Sequence, residues 1–226
     1  MKPGFVTWCS QGRGGNRAFQ KAVSDMRSKY FLLGVGILVG IGLLLVGWQF
    51  VQLPYTFRGS LIDPPIPAAD FELTDQNGQS FQLSNQRGEI VLIFFGYTHC
   101  PDVCPLTLSD FKQIKASLGD QSEKVRFVFI TVDPERDTSE VLRQYLPNFD
   151  SEFIGLTSDR TTLEGVWKAY GVYQAKQEVG SAAGYLVDHS ARTYLIDQQG
   201  NLRLTYPFEM GKEDILSDVR YLLKNE

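Results

Sequence analysis

The chain has 226 residues, enough for one well-buried domain and a short additional element. Its 22 basic and 26 acidic residues give a formal net charge of −4, and no basic patch in the body of the chain points to nucleic acid. The charge is uneven. Residues 1–30 hold six basic groups (Lys2, Arg13, Arg17, Lys21, Arg27, Lys29) and one acid, Asp25, whereas the remainder holds 16 basic and 25 acidic residues.

Between these regimes lies an apolar run. From Phe31 to Val51 the only conventionally polar side chain is Gln49, and no charge occurs between Tyr30 and Phe57. About 20 such residues suffice to cross a bilayer as a helix, so residues 31–51 are expected to form a single transmembrane anchor. Six Lys/Arg precede it and only Arg58 follows soon after. The positive-inside rule then leaves the basic tail, residues 1–30, in the cytoplasm and exports the rest to the periplasmic or extracytoplasmic side of the inner (plasma) membrane. A cleaved signal peptide is the competing reading; the run is too long for an ordinary signal, and no small-x-small cleavage site closely follows. Gly36 and Gly40 form a small-xxx-small pair, which chance explains in so glycine-rich a segment.

Residues 52–69 contain Pro54, Pro64, Pro65 and Pro67 and read as an extended tether. A compact domain, residues 70–226, is expected to follow. Residues 71–83 alternate apolar and polar around Asn77-Gly78, a hairpin pattern. Glu89 to Phe95 is nearly continuous in apolar residues, as in a strand covered on both faces. Leu106, Leu108, Phe111, Ile114 and Leu118 mark a helix ending near Gly119. Val125 to Val132 reads as a second buried strand and Phe153 to Leu156 as a short one. Helices are expected at Thr138–Leu146, Thr161–Tyr170 and Ile215–Leu223, with strands Ala191–Ile196 and Leu202–Thr205 joined by a turn at residues 198–201. Alternating strands and helices with a terminal hairpin argue an α/β mixed sheet flanked by helices.

Cys100 and Cys104 stand where the strand at 89–95 gives way to a helix. Dithiols at this junction make a thioredoxin-like fold the leading expectation, by analogy. Two thiols four residues apart can close a disulfide or share one soft metal ion. Free N–H groups at a helix N-terminus favour a thiolate at Cys100, and Pro101 and Pro105 stiffen the loop. An inert stabilising disulfide is disfavoured because so short a loop gains little from closure. Cys9, in the basic tail, is separated from the pair by the membrane and is a bystander.

The chain has two histidines, His99 and His189. A nitrogen added to two thiolates makes a three-coordinate soft site suited to Cu(I), with Cu(II) tolerated. His189 precedes the strand 191–196, whose leading loop approaches the dithiol in a thioredoxin-like fold, so it could reach the sulfurs. His99 is expected to face away, because neighbouring side chains in an extended segment point to opposite sides. Asp133 and Asp188 are candidate acceptors supporting the ligands, although Asp133 reads better as a turn residue before a helix, and Phe95 and Tyr97 are read as core or site-wall aromatics.

Residues 96–105 (GYTHCPDVCP), 132–138 (VDPERDT) and 187–190 (VDHS) resemble the three signature segments of the SCO/SenC family of membrane-anchored copper chaperones for cytochrome c oxidase assembly. The likeness covers about residues 66–226. It implies a thioredoxin-like fold with an insertion at residues 171–188, and it puts Cys100, Cys104 and His189 in the places of the copper ligands. It further implies an upstream copper donor and, as recipient, the binuclear copper site of oxidase subunit II. Family members are also credited with thiol reduction of the target, so a thiol–disulfide oxidoreductase using Cys100 and Cys104 is the alternative. C-x-x-x-C rather than C-x-x-C weighs against that as the sole role. A peroxidase is disfavoured, since Thr98 stands two residues before Cys100 rather than three.

Overall fold

The central strand of the protein is buried at every position, as its apolar sequence requires: β4 (Ile90–Gly96) runs between two neighbours and is covered on both faces. The computed structural model describes residue 26 and residues 30–45, 55–178 and 185–225. The chain divides into two units, residues 1–55 and 56–226.

In the first unit the described helix, α1 (residues 30–45), exposes Phe31, Leu32, Leu33, Leu38 and Leu43–Leu45. Among the described residues no helix is long and apolar enough to cross a membrane. Residues 46–51 of the expected span, Cys9 and most of the basic tail lie outside the described residues.

In the second unit β4 pairs in parallel with β5 (Val125–Thr131), and β5 with β6 (Ile154–Thr157). On its other side β4 pairs antiparallel with β9 (Arg192–Ile196), which is followed by β10 (Asn201–Pro207). The expected hairpin is β2 (Glu72–Asp75) and β3 (Ser80–Gln82), turning at Gly78 with φ 77° and joined to the sheet through β6. The eight-stranded order is β1-β10-β9-β4-β5-β6-β2-β3.

Strand β1 (Ser60–Pro67) corrects the sequence reading. These eight residues, assigned to the tether, instead form a strand that pairs with β10 through Ser60, Leu61, Ile66 and Pro67, with the register broken between Leu61 and Ile66. Proline is tolerated there because β1 is an edge strand, with one side free of partners. Within the expected insertion at 171–188, the described residues include two strands. β7 (Gln174–Glu178) and β8 (Tyr185–His189) form a separate antiparallel pair that carries the second histidine.

Alternation along β4 sends its aromatics to opposite faces. Phe94 meets Phe129, on the side where Phe111 of α2 (Val103–Leu118) packs against Phe127 and Phe153. Phe95 meets Tyr170, the cap of α4 (Arg160–Ala169), and Tyr194. On α4 itself, Trp167 donates its indole N–H to the Thr131 carbonyl at 3.1 Å. Side chains of Leu142 and Leu146 from α3 (Ser139–Tyr145) and its following turn fill the space over Gly155 of β6. The last helix, α5 (Lys212–Asn225), packs beside α2. Helices thus flank a mixed sheet as expected. Within α2, Leu106 is exposed rather than part of the apolar stripe.

Candidate metal centre

The end of β4 and the start of α2 place the two sulfurs. Helix α2 begins at Val103 with Asp102 as its cap, so Cys104 lies in the first turn while Cys100 precedes the helix. The sulfurs therefore meet through the loop, not along one helical face. Helix starts leave backbone N–H groups without intrahelical partners. That of Cys104 points at Cys100 Sγ at 3.4 Å. Cys104 is fully buried, Cys100 half-buried, and both are free thiols.

His189 ends β8, opposite Gln174 of β7. Its Nε2 lies 3.7 Å from Cys104 Sγ, and its Nδ1 lies 3.3 Å from the Ser190 carbonyl. A carbonyl can only accept, so Nδ1 carries the hydrogen and Nε2 turns a lone pair toward the sulfur. Phe94 and Tyr97 wall the imidazole at ring separations of 6.0 and 5.8 Å, both edge-on. Ligand atoms of Cys100, Cys104 and His189 all lie within 4.8 Å of one another. Donors held about 2.0–2.3 Å from one ion lie roughly 3.5–4 Å apart in a trigonal array, so the group fits a single ion with small adjustment. Two sulfurs and one imidazole are a soft set, with no carboxylate in the group.

The two thiols are electrostatically unequal. Cys100 is pushed down to about 4, first by the hydrogen bond from the Cys104 thiol, then by the backbone N–H groups of Asp102 and Cys104, against the opposing effect of burial. Cys104 is pushed up, because its proton is held against the Cys100 thiolate and the group is buried. Without a metal the pair is one thiolate and one thiol.

Space at this junction depends on Gly96. A Cβ there would lie 2.9 Å from Cys104 Sγ and 2.7 Å from Phe129 Cε2, so any larger residue must move the sulfur or the ring.

His99 is exposed and stands outside the three-ligand group. Neither aspartate accepts the imidazole N–H, and Asp133 stands in the turn after β5, in line with its preferred sequence reading. Asp188 is exposed on β8, and the Ser190 carbonyl, not a carboxylate, takes the imidazole N–H. Asp133 is buried, ion-paired with Arg136 and bonded by the Tyr185 hydroxyl at 2.7 Å. It supports the strand bearing His189 rather than any ligand. Asp137, missed in the sequence, accepts from the Thr98 backbone N–H at 3.0 Å and the Thr98 hydroxyl at 2.6 Å. Burial pushes its carboxyl up. Its only signal is a second aspartate four residues after Asp133, where the Asp137 N–H bonds the Asp133 carbonyl at 2.9 Å and closes the turn.

Comparison with known proteins agrees with this geometry. The SCO1/SenC family profile matches residues 62–224. A SCO2-like protein of Rickettsia prowazekii is 35% identical over 196 residues, covering 85% of this chain and 94% of the relative. The copper-bound structure of ScoI from Bradyrhizobium japonicum is 37% identical, with a TM-score of 0.64 over 70% of this chain and 99% of its own. Copper-bound yeast Sco1 is 30% identical, with a TM-score of 0.65 over 72% and 91% of the two chains. The domain is thus a thioredoxin-like α/β fold with a cysteine pair and a histidine converging at its first parallel strand, and the chain belongs to the SCO1/SenC family.

Proposed function

We propose that this protein is a copper metallochaperone for cytochrome c oxidase assembly, holding one Cu(I) on Cys100, Cys104 and His189. The convergence of those three ligand atoms within 4.8 Å carries the reading. Copper in the solved relatives from Bradyrhizobium japonicum and yeast supports the choice of metal. Only three ligands hold the cargo and Cys100 is half-buried, so an acceptor's ligand can join the ion before one of the chaperone's leaves. The thiolate at Cys100 is ready for capture at neutral pH, while Cys104 gives up its proton on loading.

The recipient in this reading is the binuclear copper site of oxidase subunit II, fed in turn by an upstream donor. Residues 31–51 anchor the chain in the inner membrane, the basic tail stays cytoplasmic, and the domain works outside; the uncharged run and its flanking charges support this. Mixing the copper-loaded protein with the apo copper domain of subunit II tests delivery. After the two proteins are separated, two copper ions per acceptor are expected at two or more equivalents of loaded protein, and copper that stays with this chain would contradict delivery.

The unequal thiols favour a second reading, reduction of the acceptor's cysteines by Cys100 attack and Cys104 resolution. In that case the reduced, copper-free protein converts an oxidised subunit II copper site to its dithiol, becoming the disulfide itself. Failure of that exchange leaves chaperoning alone.

A further inference from the structure

Of the two sulfurs, that of Cys104 is placed by α2, whereas Cys100 lies before the helix and is placed by the turn that delivers it. That turn is closed by the Cys100 N–H on the Tyr97 carbonyl at 3.3 Å, with Thr98 and His99 between them. One bond at the long end of the usual range holds a turn weakly. Thr98 is where the turn is gripped from outside. The carboxylate of Asp137 takes its backbone N–H on Oδ2 at 3.0 Å and its hydroxyl on Oδ1 at 2.6 Å. Oδ2 also takes the Thr131 hydroxyl at 2.7 Å. Thr131 ends β5 in register with Gly96 at the end of β4, and its carbonyl accepts the Trp167 indole N–H. Asp137 is fully buried, and a buried carboxylate is costly unless such bonds satisfy it. Bonds to a charged acceptor are also the strong ones. The carboxylate therefore joins the turn after β4 to the paired end of β5.

We propose that Asp137 is a positioning residue for the copper site: acting through Thr98, it fixes the turn that presents Cys100 Sγ to Cys104 and His189. The inference rests on the chaperone reading above and deepens it, since Asp137 is outside the three-ligand group. A three-coordinate site has no ligand to spare. Whenever the turn swings away the ion keeps two donors, so apparent affinity scales with the fraction of time Cys100 is in place. The Cys104 N–H reports that place without a metal. It bonds Cys100 Sγ at 3.4 Å and, at a helix start, has no partner within the helix.

The test uses the reduced full chain in detergent micelles, titrated with Cu(I) against a competing chelator. Asp137→Ala is expected to weaken Cu(I) binding by about tenfold or more, the usual size for residues that orient a metal's ligands. Thr98→Val, which keeps the backbone bond and loses the hydroxyl, should weaken it less, and Thr98→Ser should restore it. Asp218→Ala is the control, removing another buried carboxylate, on α5: it should lower stability and leave copper affinity alone. In the copper-free protein, hydrogen exchange at the Cys104 amide should quicken in Asp137→Ala but not in Asp218→Ala. Unchanged affinity or unchanged Cys104 exchange in Asp137→Ala, or an equal loss of affinity in Asp218→Ala, would overturn the positioning role. Should Asp137→Ala fail to fold, Thr98→Val and Thr98→Ser decide the matter, and equal affinities in those two would overturn it. A protein that binds no Cu(I) at all would overturn the chaperone reading, and the Cys104 exchange would still decide whether Asp137 holds Cys100 in place.

Discussion

The guanidinium of Arg136 lies 3.7 Å over the ring of Tyr185, on the strand that ends four residues later at His189. Arg136 also donates to the Tyr185 carbonyl at 3.0 Å, and Tyr185 returns a hydrogen bond to Asp133, the ion-pair partner of Arg136. Lys176 of β7 approaches the Tyr185 ring at 4.6 Å. These contacts fasten the β7–β8 pair to the loop after β5, and so fix where the histidine stands. Tyr185→Phe removes one hydrogen bond to a buried carboxylate, at a cost of about 1–3 kcal/mol. Copper affinity should fall by about tenfold, as for other groups that orient a ligand. Chelator competition on Tyr185→Phe checks this; unchanged affinity would mean that His189 is held without the latch.

Gly96→Ala tests whether the cysteine sulfur needs the bare backbone beside it. The new methyl would press on Cys104 Sγ and on Phe129, with overpacking worth about 1–3 kcal/mol of stability. Copper affinity is expected to drop by at least about tenfold. A variant that melts lower yet binds copper as before would show that the sulfur moves freely.

Thiol reactivity should follow the inequality of the two cysteines. With Cys100 at about 4, its thiolate persists as pH falls through 7 and 5 and is lost only as pH approaches 4. Iodoacetamide labelling, read by peptide mass, is expected to mark Cys100 at pH 5.5, with Cys104 slow even at pH 8. Because the Cys104 thiol is the largest cause of the depression, Cys104→Ala should move the Cys100 inflection upward. Equal labelling of both cysteines at low pH would contradict the assignment.

Asp218 of α5 is buried and accepts the backbone N–H groups of Arg58 and Gly59 and the Tyr206 hydroxyl, with distances of 2.9–3.1 Å. It ties the segment entering β1 to the last helix. Asp218→Ala strands these donors and is expected to cost about 3 kcal/mol or more, since bonds to a charged group are worth about 1.5–3 kcal/mol each. Chemical denaturation of the copper-free protein measures the loss. Copper affinity of the folded fraction should be unaffected.

The buried strand β4, the Asn77-Gly78 hairpin and the helix after the cysteines were legible because local chemistry and tertiary role agree there: seven apolar residues, a left-handed glycine, a 3.6-residue stripe. Edge strand β1 was hidden by its prolines, which signal a break unless one knows that only one side needs partners. Strand β7 was hidden by its composition, since Gln174–Glu178 has no apolar alternation and is mostly exposed. At the site, Cys100, Cys104 and His189 were readable as a soft donor set. Their support was not, because the partners of Asp133, Asp137 and His189 are set by where three loops meet in space. Sequence proximity suggested Asp188 for His189, but a strand turns successive side chains to opposite faces, and Asp188 points to solvent.

The most direct test of the central claim is Cu(I) titration of the reduced full chain against a competing chelator, with Cys100→Ser, Cys104→Ser and His189→Ala alongside. One tightly held copper per chain is expected, with affinity reduced by each of the three substitutions. Failure to compete for copper, or an affinity untouched by His189→Ala, would contradict a three-ligand copper site at the head of α2.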